Sequence, residues 1–260
     1  MLALLRRALL LTLAGVLLAG ARGAAAADVF PEATLHLEAV RYQPVEPELQ
    51  WQGWIGGGAT LLRANGVGLW GQAEVETILG HVIRPFEATQ ANYHLSFGLR
   101  RTVGRLEVAP FFRHVSRHYA DRPKTQAVDW NLVGVEVSGR PWAAPVTVTA
   151  SLGHTIQASL PGYQWEARAR ADAELWRRGG GAAVLRGALR LVSVRDHDTL
   201  PRGGFADWRL EGALRHDAHG RTLEAFVAAE RRNDVFLETV GVRQRALFGL
   251  RVLLEREEAP

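Results

Sequence analysis

The sequence predicts an all-β protein: a transmembrane, antiparallel, up-and-down β-barrel of about twelve strands, with short periplasmic turns and longer extracellular loops. Three observations carry this expectation. The chain opens with an apolar leader, polar and apolar residues then alternate with period two along most of its length, and no later stretch has the ~18 uncharged apolar residues that a membrane-spanning helix needs.

The leader comes first. Arg6 and Arg7 give a positive start, Ala8 to Gly20 is uninterrupted apolar chain, and Ala21 to Ala27 supplies the small residues that signal peptidase accepts. Residues 1–26 are therefore expected to be a secretory signal peptide, cleaved after Ala26 or Ala27, with a single barrel domain over 27–260. The apolar core is too short to span a bilayer comfortably. Export leaves three destinations: soluble periplasmic, secreted, or inserted in the outer membrane.

Composition narrows the functions. The 260 residues contain no Cys, which removes thiolate metal sites, disulfide scaffolds and cysteine nucleophiles. Lys124 is the one lysine among 31 cations, and Arg6, Arg7 and Arg22 lie in the leader, so 28 cations remain against 27 acids. A nearly neutral chain with its cations spread along its length is not built to bind nucleic acid.

The strands follow in order. They are expected over 33–43, 50–63, 67–82, 91–102, 105–119, 128–139, 144–156, 163–177, 182–195, 206–217, 221–231 and 243–255. The eighth is the clearest: Trp165, Ala167, Ala169, Ala171, Ala173 and Leu175 share one face, while Gln164, Glu166, Arg168, Arg170, Asp172 and Glu174 share the other. A helix would mix these sets and a strand separates them. The ninth sets Leu185, Gly187, Leu189 and Leu191 against Arg186 and Arg190. The tenth sets Trp208, Leu210 and Leu214 against Arg209, Glu211 and Arg215. In the last, Phe248, Leu250, Val252 and Leu254 alternate before a charged tail from Arg256 to Pro260.

Connections alternate as well, short after even strands (for example Ala64-Asn65-Gly66 and Ala218-His219-Gly220) and longer after odd ones (44–49, 83–90, 120–127, 157–162, 196–205, 232–242). Long strands in even number with this alternation describe an outer-membrane barrel, whereas soluble sandwiches use shorter strands. A soluble lipocalin-like barrel would turn the charged face outward; here the arginines and glutamates are expected to pair inside a closed lumen while apolar side chains meet lipid. Trp51, Trp54, Trp130, Trp142 and Trp176 fall near strand ends, where aromatic girdles occur.

One hairpin departs from this pattern. In strand five, His114, Ser116 and His118 continue the lipid-facing set of Leu106, Val108 and Phe112; in strand six, Asn131 lies on the face of Val133, Val135 and Val137. With the tip at Arg122-Pro123, His114 falls opposite Asn131 and Ser116 opposite Asp129, at the loop end of both strands. Ser, His and Asn in one patch suit acyl transfer: the imidazole activates the hydroxyl, and a third polar group fixes its tautomer. Polar groups aimed at lipid are costly, which marks them as functional candidates.

This pattern resembles outer-membrane phospholipase A, a twelve-stranded barrel family whose His-x-Ser and Trp-Asn elements face the outer leaflet from neighbouring strands; His114-Val115-Ser116 and Trp130-Asn131 match them in order and type. The resemblance implies Ser116 as nucleophile, His114 as base and Asn131 as orienting residue. Lipid A deacylase barrels also carry an outward His-x-Ser pair, so phospholipid and lipopolysaccharide both stand as lipid partners. Arg117-His118 replace the family's Asn-Gly after the serine, and the loop to Trp130 is longer. The family's calcium site and dimerisation are therefore not carried over with the motif; Asp129 and Asp121 remain as cation ligands by type, for Ca2+ above all, and both monomer and homodimer stay open. The competing readings are a barrel without enzymatic function, either structural or a small pore, and a soluble lipid carrier.

Overall fold

The computed structural model describes residues 27–120, 127–142, 144–160, 162–195, 203–234 and 242–257; the expected signal peptide and the loop residue Asp121 lie outside them. Twelve strands form: β1 (Asp28–Glu46), β2 (Leu49–Ala64), β3 (Val67–Gly80), β4 (Glu87–Val103), β5 (Leu106–Tyr119), β6 (Val128–Gly139), β7 (Val146–Ala158), β8 (Tyr163–Arg178), β9 (Gly181–Val194), β10 (Phe205–Ala218), β11 (Arg221–Arg232) and β12 (Arg243–Glu257). Each pairs antiparallel with its sequence neighbours, and β1 pairs with β12 to close the barrel. Closure leaves no edge, so backbone groups are bonded within the wall, as hydrocarbon surroundings require.

Side chains divide as the alternation predicts. Leu189, Leu191, Leu210, Leu214, Val227 and Leu250 stand exposed on the outside, while Arg186, Glu211 and Glu224 are buried in the lumen. Arg186 bonds Asp172 and Glu211 at 2.6 Å and reaches Glu224, which also receives Arg251 at 2.7 Å and Arg215 at 2.8 Å. Arg251 spans to Glu38 across the β1–β12 seam. These charges persist in the buried lumen because each of them is paired and hydrogen-bonded. The lumen is not wholly polar: Val115, Val128, Trp130, Leu132, Tyr163, Val192 and Val194 form an apolar plug at its loop end.

Three expectations need correction. The connection expected over 44–49 is a tight turn at 47–48, because β1 runs through Pro44 to Glu46; a register irregularity between Arg41 and Glu46 absorbs the proline, which has no N–H for the ladder. The connection after β6 spans 140–145, because β7 starts at Val146 rather than at 144. Finally, Trp130 and Trp54 are not girdle residues. Trp130 is 2% exposed and packs edge-on against Tyr163 at 5.0 Å, and Trp54 lies 5.2 Å from His94 and lines the lumenal cavity. Their parity points them inward, and parity outweighs nearness to a strand end. Trp142 and Trp176 stay on the exposed surface near the turns.

Candidate active site

Register decides whether the β5–β6 patch exists. His114 pairs with Asn131 and Ser116 with Asp129, the register expected from the hairpin centre. Leu95 and Tyr93 of β4 face His114 and Ser116 from the other side, so the patch sits on the lipid-facing wall near the loop end.

His114 Nδ1 lies 2.7 Å from Asn131 Oδ1. The Asn131 amide nitrogen donates to Gln157 Oε1 on β7, so its oxygen is the atom offered to the imidazole and accepts from Nδ1–H. That tautomer leaves Nε2 with its lone pair, the form a general base needs. Ser116 Oγ is 3.2 Å from Nε2 of His118, whose ring meets Tyr93 edge-on at 5.3 Å. Ser116 is thus flanked along one face by two imidazoles: His118 engages the hydroxyl, and His114 is held by Asn131.

Gln157 and its device are invisible to strand parity. Leu132 pairs with Thr155 while Asn131 pairs with Gln157, so Ile156 is an extra residue in β7. This bulge puts Gln157 on the same side as Asn131, and bulges next to active sites commonly re-aim a side chain in this way. Alternation puts His118 on the lipid-facing side, and its bond to Ser116 depends on side-chain rotamers.

The inner face of the same strands anchors the patch. Arg113, between Phe112 and His114 in sequence and on the lumenal side, reaches Glu166 at 3.4 Å. Arg117, between Ser116 and His118 in sequence, donates to Asp234 and lies 5.2 Å over the Trp130 ring. Asp234 also accepts from Tyr163 Oη at 2.6 Å and Arg190 at 2.9 Å. Burial alone would raise the Asp234 carboxyl, but the guanidiniums of Arg190, Arg117 and Arg232 hold it well below the usual carboxylate range.

Asp129, opposite Ser116, keeps one buried carboxylate oxygen without a hydrogen-bond partner. Calcium takes roughly six to eight oxygen ligands. Among the described residues no three acidic or imidazole groups gather for a metal, so the described side chains do not by themselves form a calcium cage, and Asp121 is outside the described residues.

No protein-family model matches the chain, and no curated protein matches its sequence. Solved structures share its architecture. Outer membrane phospholipase A from Escherichia coli is similar with a TM-score of 0.54 at 10% identity, covering 89% of this chain and 100% of that one. The chain has the fold of an outer-membrane β-barrel. An active-site mutant of the same E. coli enzyme, with asparagine replaced by alanine, gives a TM-score of 0.58 at 10% identity over 88% and 92% of the two chains. A calcium-bound dimer of the Salmonella typhi outer membrane phospholipase gives 0.53 at 9% identity over 86% and 90%. At such identities the likeness is one of fold.

Proposed function

We propose that this barrel is an acyl hydrolase of membrane lipid, acting on its outer wall with Ser116 as nucleophile, His114 as base and Asn131 as orienting residue. The observation that carries the reading is the 2.7 Å contact between His114 and Asn131 beside Ser116 on a lipid-facing surface, where polar groups are expensive to keep. That an asparagine belongs to the active site of a phospholipase of the same fold supports it.

In the proposed reaction the Ser116 hydroxyl turns from His118 to Nε2 of His114 and attacks the ester carbonyl carbon of a lipid. The proton passes to Nε2 as the new C–O bond forms, and Asn131 keeps the imidazolium oriented. Collapse breaks the ester C–O bond, His114 returns the proton to the departing alcohol, and water attacks the acyl-serine by the same route in reverse. Phospholipid and lipopolysaccharide both offer such esters at the level of the patch. No step is assigned to calcium, because the described donors around Asp129 are too few.

The ion pairs of Arg186 and Arg251 across the lumen, together with the apolar plug around Trp130, favour chemistry on the outer wall over conduction through a small pore. Fatty-acid release from mixed micelles of phospholipid, and separately of lipopolysaccharide, tests the proposal. Wild-type protein is expected to release fatty acid from one of them and Ser116→Ala is not. No release by the wild type on either lipid, with or without calcium, leaves the non-enzymatic barrel as the answer.

A further inference from the structure

At the opposite, turn end of the barrel, the outer wall of β10–β12 carries a groove of about 420 Å³ lined by His216, His219, Arg221, Leu223, Val252 and Leu254. His216, His219 and Arg221 are exposed. Arg221 is level with Leu254, and one pleat further from the turn His216, Leu223 and Val252 share a level, from which the lipid-facing rows continue to Leu250. Arg256 follows Leu254 on the same face of β12.

The turn itself is unusual. His219 and Gly220 both have positive φ, 51° and 70°, the pattern of a two-residue hairpin turn whose first place normally goes to Asn, Asp or Gly. The β2–β3 turn follows that rule with Asn65-Gly66. Histidine, like Asn and Asp, is enriched in the left-handed region, so the turn accepts His219 and presents its imidazole at the surface beside Arg221. The nearby carboxylates point elsewhere: Asp217 bonds Thr222 at 2.6 Å and Arg177 at 3.0 Å, and Glu255 has the lumenal parity of Arg251. Among the described residues Arg221 has neither a hydrogen-bonded nor an ion-paired side-chain partner.

We infer that this groove is a binding site for an anionic glycerophospholipid of the periplasmic leaflet, independent of the chemistry proposed at Ser116. Its phosphate meets the Arg221 guanidinium between His216 and His219, and an acyl chain lies along Leu223, Val252 and Leu254. A planar guanidinium suits phosphate in a bidentate arrangement. Its position at the turn end, with Leu254 beside Arg221 and Leu223 and Val252 one pleat deeper, suits a lipid rather than a free anion. Exposed Trp142 and Trp176 mark the same interfacial end.

Native mass spectrometry of the folded full chain, released from detergent micelles doped with dioleoyl phosphatidylglycerol or dioleoyl phosphatidylcholine, tests this. Retained phosphatidylglycerol is expected to exceed phosphatidylcholine, and to fall about tenfold in Arg221→Ala. His219→Asn keeps a residue that tolerates the left-handed turn and is expected to lose affinity in the same direction with the fold intact. Arg140→Ala, at a different turn, is expected to bind as wild type. Equal retention of the two lipids, wild-type retention in both groove variants, or an equal loss in Arg140→Ala overturns the site. Complete displacement of the lipid by inorganic phosphate would make it a free-anion site instead and likewise overturn it.

Discussion

Arg117 and Asp234 meet across the barrel although 117 positions separate them: one guanidinium nitrogen donates to the Asp234 carbonyl oxygen at 2.8 Å and another to its carboxylate at 3.0 Å. The contact ties the end of β11 to the strand that carries Ser116 and His118. Because Arg117 alternates with these residues, the same stretch of β5 presents a charged anchor inside and the candidate site outside.

The anchor makes stability depend on acid. The Asp234 carboxyl lies below its ordinary value of 3.8 in the folded protein, so its stabilising effect is fully present above that value and is lost as pH falls below it towards the folded value. Wild-type protein is expected to unfold more readily as pH drops below about 3.8. Asp234→Asn should already be weaker at neutral pH by roughly 3 kcal/mol and lose less on acidification. Denaturant titrations followed by gel mobility at several pH values check both slopes; parallel slopes would remove Asp234 as the cause.

His114 and Asn131 are expected to fail as a unit. If Asn131 acts by fixing the imidazole tautomer, Asn131→Ala lowers the rate of fatty-acid release about a hundredfold or more with little change in KM. The double variant His114→Gln/Asn131→Ala should be no slower than His114→Gln alone. Additive losses would mean that Asn131 acts through something other than His114.

Within the lumen, Glu224 receives Arg186, Arg215 and Arg251. Glu224→Ala takes a shared carboxylate from three guanidiniums; Arg186 keeps Asp172 and Glu211, Arg251 keeps Glu38 and Glu211, and Arg215 loses its ion-pair partner, so a loss of about 3 kcal/mol is expected. Replacing it with Gln, which keeps hydrogen bonding but not charge, should cost less. Equilibrium unfolding in urea measures the difference, and a loss within experimental error in both would show the network to be solvated.

On the outer wall, Leu210 sits mid-strand opposite Gly187 and is 53% exposed. Leu210→Arg is expected to destabilise the barrel in a bilayer by about 2–4 kcal/mol. Arg221→Ala at the interfacial turn should shift stability by less than about 1 kcal/mol. Refolding into vesicles checks the contrast, and equal effects at the two depths would argue against this placement in the membrane.

The strands, their faces and the β5–β6 register were legible in the amino-acid order because each is a local property. Period-two alternation separates Glu166 from Trp165, and a hairpin pairs residues about its own centre, as His114 and Asn131 show. Pro44 reads as a loop residue in sequence, and only the irregular pairing with the partner strand accommodates it within β1. Trp130 lies near a strand end, yet its parity turns it into the lumen.

What sequence alone determined is therefore a set of two-faced ribbons and the placing of Ser116, His114 and Asn131 on one of those faces. Tertiary structure decided the rest: the β1–β12 seam, the bulge at Ile156 that brings Gln157 to Asn131, the bond between Ser116 and His118, and the pairing of Arg117 with Asp234. The division has a physical reason. Alternation comes from the geometry of a single strand, whereas a guanidinium chooses among several carboxylates in a shared lumen only once the closed wall has set the distances between them.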